Sequence, residues 1–279
     1  MQSCITADKL SAGYNGISVF HDLDIELPAG IITTLIGSNG SGKSTILKTM
    51  SRLLVPFGGT VYLEGQSIHS MPTKLVAQKL ALLPQGAQTP TGITVRDLVE
   101  YGRFPHRSKL SGLTSKDQEI IRWALSSTGM TALADREMDQ LSGGQRQRGW
   151  IAMALAQKTN LLFLDEPTTY LDISHQLEIL QLLRKLNEEQ GVTVVMVLHD
   201  LNHAIMFSDY LVAIKEGKKH SAGSPENVIT PQTLREVFDV EAEVIYHPVL
   251  EVPVCLPYGV RGQVLQKQNQ KKGKGENGK

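Results

Sequence analysis

One stretch decides the fold of this 279-residue chain: Leu35-Ile36-Gly37-Ser38-Asn39-Gly40-Ser41-Gly42-Lys43-Ser44-Thr45. It fits the pattern in which two glycines, separated by four residues, precede Lys and then Ser or Thr. Before it, residues 31–36 form a short, β-branched apolar run that is typical of a buried strand. After it, residues 46–54 carry apolar side chains at helical spacing, and Pro56 ends that pattern. Strand, glycine loop and helix in this order predict a phosphate-binding loop.

The physical chemistry of this loop favours a polyphosphate ligand. Free backbone N–H groups and the positive end of the helix dipole converge where the helix begins. Glycines allow a positive φ and a close approach of the backbone, Lys43 adds a point charge, and the Ser44 hydroxyl suits Mg²⁺. The alternative is a glycine-rich turn beside an incidental lysine, but both flanks have the required pattern. We therefore predict that the chain binds a nucleoside triphosphate.

The composition is that of an ordinary globular protein, with 41% hydrophobic and 20% charged residues. The formal net charge is zero, which argues against a dedicated nucleic-acid surface. The charge is unevenly distributed, because residues 266–279 contain five lysines and one glutamate. This Lys-rich tail lacks apolar residues and is predicted to be disordered. It is either simply solvated or weakly attracted to anionic lipid.

Cysteine usage and hydropathy bear on the cellular compartment. Cys4 and Cys255 lie far apart in sequence without metal-like spacing, so reduced thiols in a cytosolic protein are expected. The N-terminus lacks a signal-peptide pattern. No apolar run approaches the roughly 18 residues that a membrane-spanning helix needs. Any role at a membrane is therefore expected to depend on a partner.

Around the loop, the pattern changes from strands to helices. Residues 17–20 and 23–27 are short apolar or alternating runs that predict strands with tight turns. Tyr14 lies in a Gly-Tyr-Asn-Gly turn, where an exposed ring could stack on a base or simply pack. Residues 87–140 have the pattern of a helical insertion. Within it, residues 102–107 combine basic groups with an aromatic, which fits either a solvated loop or a partner-docking surface.

A second glycine-rich helix start follows this insertion. Leu141-Ser142-Gly143-Gly144-Gln145 precedes residues 146–157, which have helical periodicity. Ser142 is a good N-cap, and Gly143 and Gly144 leave backbone N–H groups unobstructed, so this is a second potential anion site. Gly149 lies inside the predicted helix, where glycine costs up to about 1 kcal/mol relative to alanine.

Polar side chains stand at the ends of three apolar strands. Residues 161–164 are fully apolar and end in Asp165 and Glu166. Asp165 suits Mg²⁺, and Glu166 suits the polarisation of an attacking water. Gln85 follows the apolar run 80–83, and His199 follows the run 192–198. Because doubly wound sheets bind ligands at the carboxyl ends of their strands, His199 is a candidate site residue. A glutamine in the position of Gln85 is usually a loop amide, and only its place in the order of motifs makes it a candidate.

This series of motifs resembles the ATP-binding cassette (ABC) ATPases over residues 3–250, and the pentapeptide 141–145 in this order is its most specific part. The resemblance implies an α/β fold, in which a RecA-like, mostly parallel sheet is joined by an N-terminal antiparallel β subdomain and a helical signature subdomain at about 87–157. A C-terminal extension at 251–265 and the disordered tail at 266–279 would follow. Ser38 departs from the family pattern, where proline is frequent, and Thr169-Tyr170 stands where small residues are common.

The resemblance also implies a role for each matching residue. The loop Gly37 to Thr45 would hold the phosphates of ATP, and Tyr14 would stack on its adenine. Gln85 would sense Mg²⁺ and water, Asp165 would serve Mg²⁺ together with Ser44, and Glu166 would be the catalytic base. His199 would contact the γ-phosphate, and Asp172 would lie in a loop that crosses the dimer. Ser142, Gly143, Gly144 and Gln145 would serve the nucleotide held by a second copy.

Within the family, the sequence of residues 167–176 is similar to that found in importers of ferric siderophores, haem and vitamin B12. Residues 102–106 and 151–157 also resemble this group of importers. We therefore expect the ATPase subunit of an importer, for ferric siderophore or ferric citrate. It would work as a homodimer on a separate integral-membrane permease, indirectly with a substrate-binding protein, at the cytoplasmic face of the membrane and without nucleic acid. The alternatives are a soluble ABC ATPase, such as one of iron–sulfur cluster assembly, and an ABC protein of DNA repair or translation.

Overall fold

A computed structural model describes residues 3–87, 90–108 and 112–261. The predicted tail 266–279, and residues 262–265 of the predicted extension, lie outside these ranges. The strands, numbered along the chain, are β1 (Ser3–Tyr14), β2 (Ile17–Pro28), β3 (Ile32–Ile36), β4 (Gly58–Leu63), β5 (Gln66–Ser67), β6 (Leu80–Leu83), β7 (Leu161–Asp165), β8 (Thr193–Val197), β9 (Tyr210–Lys215), β10 (Lys218–Gly223), β11 (Val240–Tyr246) and β12 (Pro253–Val260). The helices are α1 (Lys43–Met50), α2 (Thr73–Lys79), α3 (Val95–Tyr101), α4 (Ser115–Ser127), α5 (Gly143–Ala156), α6 (Ile173–Gln190), α7 (Leu201–Phe207), α8 (Pro225–Val228) and α9 (Pro231–Phe238).

The central sheet has the strand order β10-β9-β3-β8-β7-β6. Its strands pair in parallel except for the antiparallel pair of β9 and β10. Every residue of β3, β7 and β8 is buried, as expected of parallel strands that are covered on both faces. The carboxyl ends of β3, β6, β7 and β8 therefore lie along one edge of the sheet. The predicted, mostly parallel sheet is confirmed.

A four-stranded antiparallel sheet has the order β2-β1-β4-β5. It packs against the central sheet through an apolar cluster to which both sheets contribute buried side chains. The predicted strands 17–20 and 23–27 are two parts of the single strand β2. The interruption between them is a bulge, because Asp22 has a φ of 47° and the β1–β2 register shifts between Leu10, which pairs with Leu23, and Ala12, which pairs with Phe20. The predicted antiparallel β subdomain is confirmed.

Helices α3, α4 and α5 pack on one another and form the helical region. In the segment 102–107, Gly102 and Arg103 are buried in this region, whereas Phe104 is exposed. A Cβ atom on Gly102 would lie 2.2 Å from the carbonyl oxygen of Met153, so glycine is required for this close approach. Arg103 is buried, and its guanidinium donates to Asp117 at 2.8 Å and to the Ala156 carbonyl at 2.7 Å. The segment therefore ties α3 to both α4 and the end of α5.

Gly149 also has a packing reason. A Cβ atom at this position would lie 3.1 Å from Sδ and Cε of Met138, which is itself buried. The glycine thus allows α5 to approach the turn at residues 138–140 closely. This contact offsets the loss of helix propensity that the sequence indicates.

The C-terminal residues form two short helices and a hairpin. The helical pattern of residues 226–238 belongs to two helices, α8 and α9, because Thr230 caps a new helix that has Pro231 at its first position. Strands β11 and β12 form an antiparallel hairpin. The boundary predicted between residues 250 and 251 falls in the connection of this hairpin. Across the described residues, no helix combines the length and apolar character needed to cross a membrane.

Candidate functional site

The glycine loop joins β3 to α1 at the carboxyl edge of the central sheet. Gly37 has a φ of 153°, and a Cβ atom there would lie 2.2 Å from the carbonyl oxygen of Ile214. Gly42 has a φ of 102° and is the N-cap residue of α1, without any side-chain cap. The first N–H groups of α1 are therefore available to a ligand, and the dipole of α1 favours an anion there.

The Lys43 side chain folds back over this loop. Its ammonium donates to the carbonyl oxygens of Gly37 at 2.9 Å and Ser38 at 3.0 Å. Burial lowers the pKa of Lys43, while the carboxylates of Glu166 and Asp165 oppose that shift. The site thus holds a desolvated cation whose hydrogen bonds can be exchanged for stronger ones to a phosphate.

Asp165, at the end of β7, faces the start of α1. The Ser44 hydroxyl donates to Asp165 Oδ1 at 2.7 Å. Asp165 Oδ2 is buried and has no hydrogen-bond partner among the described residues. Burial raises the pKa of Asp165, an effect that the Ser44 hydrogen bond and Lys48 oppose. An unpaired carboxylate oxygen beside a hydroxyl is a donor set that fits Mg²⁺.

Glu166 lies at the centre of a cluster of polar side chains. Its Oε1 atom lies 2.6 Å from Nε2 of His199. Its Oε2 atom accepts hydrogen bonds from Thr169 Oγ1 at 2.9 Å and from Gln85 Nε2 at 2.5 Å. Glu166 itself has a φ of 54°, which is unusual for a residue with a side chain. Backbone and neighbours together hold one carboxylate beside the phosphate loop, as a base for an attacking water requires.

These residues surround one open cavity of about 580 Å³. It is lined by Val19, Asn39, Gly40, Gly42, Lys43, Ser44, Thr45, Gln85, Glu166, Thr169, Tyr170 and His199. Gly37, Ser38, Ser41 and Asp165 lie in or directly behind the loop. Ser41 is buried and closes the loop by donating its N–H to the Ser38 carbonyl at 3.2 Å.

Three predicted site elements lie outside the lining of this cavity. Tyr14 is at the end of β1 and is 45% exposed. Asp172 is the N-cap residue of α6, where it accepts the His175 N–H at 3.0 Å. Ser142 is the N-cap residue of α5, and its hydroxyl accepts the Gln145 N–H at 3.3 Å. Ser142 and Gly143 are exposed, so this loop faces outward. The nucleotide contacts expected of these elements remain predictions.

Three residues of the lining were missing from the sequence prediction: Val19, Thr169 and Tyr170. Thr169, noted there only as a departure from the family pattern, donates to Glu166. Val19 reaches the loop from β2, since its Cγ1 atom would lie 3.1 Å from a Cβ atom on Gly42. An alternating strand pattern carries no signal for such a contact, which depends on how the two sheets pack.

The ABC transporter family profile matches residues 20–169. Among characterised proteins, the chain is 55% identical over 254 residues to the iron(3+)-hydroxamate import ATP-binding protein FhuC of Bacillus subtilis, covering 91% of this chain and 94% of that protein. It is 44% identical over 255 residues to the ferric enterobactin transport ATP-binding protein FepC of Escherichia coli, covering 91% of this chain and 94% of that protein.

Two solved structures share the fold over most of the chain. An ABC transporter in an inward-facing conformation has a TM-score of 0.79 at 27% identity and covers 94% of this chain and 99% of that one. A dimeric post-hydrolysis structure of the ATP-binding cassette MJ0796 with ADP and Pi has a TM-score of 0.70 at 28% identity. The match covers 79% of this chain and 98% of that one.

Proposed function

The chain belongs to the ABC transporter family as an ATP-hydrolysing subunit, and from that premise we propose that it energises the import of ferric siderophores of the hydroxamate class. The identity of 55% with an iron(3+)-hydroxamate import protein supports the choice of substrate class. Of the relatives named above, one is an import protein and the other a transport protein, which favours transport over the soluble alternatives such as iron–sulfur cluster assembly.

The observation that carries the catalytic proposal is the held carboxylate of Glu166 beside the glycine loop. In this proposal the loop from Gly37 to Thr45 binds the phosphates through its backbone N–H groups and Lys43. Glu166 takes the proton of the attacking water, while Gln85, Thr169 and His199 fix its orientation. A base that is already oriented avoids reorganisation during the reaction.

Mg²⁺ belongs to the same proposal. Ser44 and Asp165 would hold it, and the buried, unpaired Oδ2 atom of Asp165 supports this assignment. When bound, Mg²⁺ supplies neutralisation of the charge on the phosphates. Without it, the desolvated Asp165 carboxylate has only the Ser44 hydroxyl as a hydrogen-bond partner in the described part of the chain.

We assign the outward-facing loop Ser142–Gln145 and Asp172 to the nucleotide of a second copy of the chain. ATP would then bridge two subunits, and closure of the homodimer would act on the permease. The dimeric MJ0796 structure supports a homodimer in this family. Binding in this way favours the closed state only while the γ-phosphate is present, so hydrolysis allows the dimer to open.

In this proposal the subunit lies at the cytoplasmic face of the membrane, bound to an integral-membrane permease, and a substrate-binding protein contributes indirectly. The zero net charge argues against a nucleic-acid partner. Tyr14, exposed at the end of β1, remains the predicted platform for adenine.

The deciding experiment is radiolabelled iron uptake in a strain that lacks the chain's gene. We expect uptake of ferric hydroxamate to require the wild-type chain and to fail with Glu166→Gln, while ferric catecholate and ferric citrate serve as competing substrate classes. Restoration of only the catecholate or citrate uptake would contradict the substrate class. Intact uptake of all three without the gene, together with failure to co-purify with a polytopic membrane protein, would contradict the importer role.

A further inference from the structure

His175, in the first turn of α6, contacts the glycine pair at the start of α5. A Cβ atom built on Gly144 would lie 2.6 Å from Cδ2 and 3.0 Å from Cγ of the His175 ring. The imidazole therefore lies directly against the Gly144 backbone, and no larger residue fits between them. Its side chain is 38% exposed, so the ring is an accessible support rather than part of the buried core.

The other edge of the same ring holds Asp172. His175 Nδ1 lies 2.7 Å from Asp172 Oδ1, which also accepts the His175 N–H at 3.0 Å and the Ser174 hydroxyl at 2.9 Å. The backbone N–H of His175, followed by the Ser174 hydroxyl and the His175 ring, lowers the pKa of Asp172 to about 2. Asp172 is thus a carboxylate throughout the neutral range, with its orientation fixed by three donors.

Further contacts keep the starts of α5 and α6 in register. Leu171 reaches Gly143, since its Cδ2 atom would lie 3.7 Å from a Cβ atom there. Gln176 Nε2 donates to the Leu171 carbonyl at 3.0 Å and so fixes the loop before α6. Beyond these contacts, Arg148 on α5 forms an ion pair with Glu178 on α6. His175 is the one member of this set that touches Gly144 and Asp172 simultaneously.

We propose that His175 is a positioning residue for ATP hydrolysis, which sets the Ser142–Gln145 loop and Asp172 at a fixed relative position so that both meet the nucleotide of a second copy together. The inference rests on the proposed function, because only a nucleotide held by another subunit requires these two elements to act as one surface. The capping box fixes Ser142 relative to Gln145 within α5, but Gly143 and Gly144 have no side chains that could reach α6. The position of this loop relative to Asp172 therefore depends on contacts that α6 supplies. A displacement of about 1 Å at such a surface can cost on the order of 100-fold in rate.

The test compares His175→Ala with His175→Asn in the full-length chain. Asparagine places an N–H donor near the position of Nδ1 and restores the bond to Asp172, whereas alanine removes both the donor and the ring. We expect His175→Ala to lower kcat by roughly 10- to 100-fold, with ATP affinity of the isolated chain unchanged within about twofold because the phosphate loop is untouched. His175→Asn should recover a large part of kcat.

The matched control is His220→Ala. His220 also pairs with a carboxylate, since its Nε2 atom lies 2.8 Å from Glu236 Oε2, but this pair joins β10 to α9, away from the α5–α6 contact. Its loss should leave kcat within about twofold of the wild-type value. A general cost of losing a histidine–carboxylate pair would instead lower kcat in both alanine variants.

Several outcomes would overturn the proposal. One is wild-type kcat in His175→Ala, and another is equal kcat in the alanine and asparagine variants. A loss of ATP affinity in proportion to kcat would assign His175 to general stability instead. Failure of the proposed function is a separate result, because a wild-type chain that does not hydrolyse ATP would contradict it before any variant is compared.

Discussion

Two helix starts in this chain are rich in glycine, yet their N–H groups are used differently. Helix α1 begins at Gly42, which supplies no side-chain cap. Helix α5 begins at Ser142, where a complete capping box joins the side chains and backbones of Ser142 and Gln145. The first start keeps its N–H groups for a ligand, whereas the second satisfies part of its own.

Their surroundings differ in the same way. Around the first helix start, the chain itself supplies the cation of Lys43 and the carboxylates of Asp165 and Glu166, and all three are largely buried. Around the second, Ser142 and Gly143 are exposed and line no part of that cavity. The difference teaches that one site is built within the chain, while the other presents a surface that suits a separate molecule.

The largest effect is expected at the first site, from Glu166→Gln. The amide keeps the size of the side chain and one of its two acceptor oxygens but is not a base, so kcat should fall by roughly 100- to 10,000-fold. ATP affinity should stay near the wild-type value because the glycine loop and Lys43 are unchanged. Steady-state ATPase rates and an ATP titration measure the two quantities, and size-exclusion chromatography should detect an accumulated ATP-bound dimer. Near-normal turnover would contradict the role of Glu166.

The support at the far end of α5, the helix that begins at Ser142, is tested by Asp117→Asn. Asp117 and Arg103 form an ion pair with side chains that are 9% and 6% exposed, and Arg103 also holds the end of α5. Removing one charge of a buried pair leaves the other uncompensated, at a cost of about 3–5 kcal/mol in the free energy of unfolding. Urea unfolding monitored by circular dichroism measures this loss. The exposed pair of Arg96 and Asp135 is the control, since Asp135→Asn should cost at most about 1 kcal/mol.

The same pair predicts a dependence of stability on pH. Burial raises the pKa of Asp117, but hydrogen bonds from Thr114 and the Arg103 guanidinium outweigh it and lower the pKa to about 2. The folded state therefore binds this proton more weakly than the unfolded state, so the contribution is present above the ordinary pKa of 3.8 and is lost as the pH falls towards 2. The difference in stability between wild type and Asp117→Asn should shrink over that window. A constant difference from pH 5 to 2 would refute the assignment.

Ser142→Arg tests directly whether the second helix start acts on another molecule. The substitution removes the cap and fills the exposed surface, so hydrolysis should fall by about 100-fold, as for the loss of a preorganised donor. ATP binding to the isolated chain should persist, because Ser142 does not line the cavity. Thr94→Arg is the control, since Thr94 forms the same capping box on α3. Loss of ATP binding in the Ser142 variant would contradict the assignment to a second copy.

Much of the fold was predictable because apolar patterning records burial. Helix α6 has a face of leucines and strand β9 has the apolar run 211–214, so the sequence pattern marks both elements clearly. Helix α2 was missed because Val76 is its one buried residue, so the segment has no apolar stripe. The strand β2 was divided in two because the bulge at Asp22 interrupts its alternation. Local pattern thus fails where one contact or one irregular residue determines the element.

The candidate site likewise contains residues that the sequence predicted and contacts that it did not. Asp165, Glu166 and His199 were predicted from their positions after apolar strands, and Gln85 from its place in the order of motifs. Parallel pairing brings those strand ends together. The contacts of Thr169 and His175 were not predicted, because they depend on the path of the loop between β7 and α6. A spacing rule identifies residues that share a sheet edge, but the side chains that support them require coordinates.

The smallest effect is expected from Gly149→Ala, in the helix that carries the second glycine pair. The new Cβ atom would meet the flexible end of Met138 at 3.1 Å, which can move, and alanine gains up to about 1 kcal/mol of helix propensity. The free energy of unfolding should therefore change by less than about 1 kcal/mol. Gly102→Ala is the matched control, because its Cβ atom would lie 2.2 Å from the backbone carbonyl of Met153 and should cost about 1–3 kcal/mol. Equal losses of stability in urea unfolding would mean that Met138 is as fixed as the backbone, and that α5 is held more rigidly than its glycines indicate.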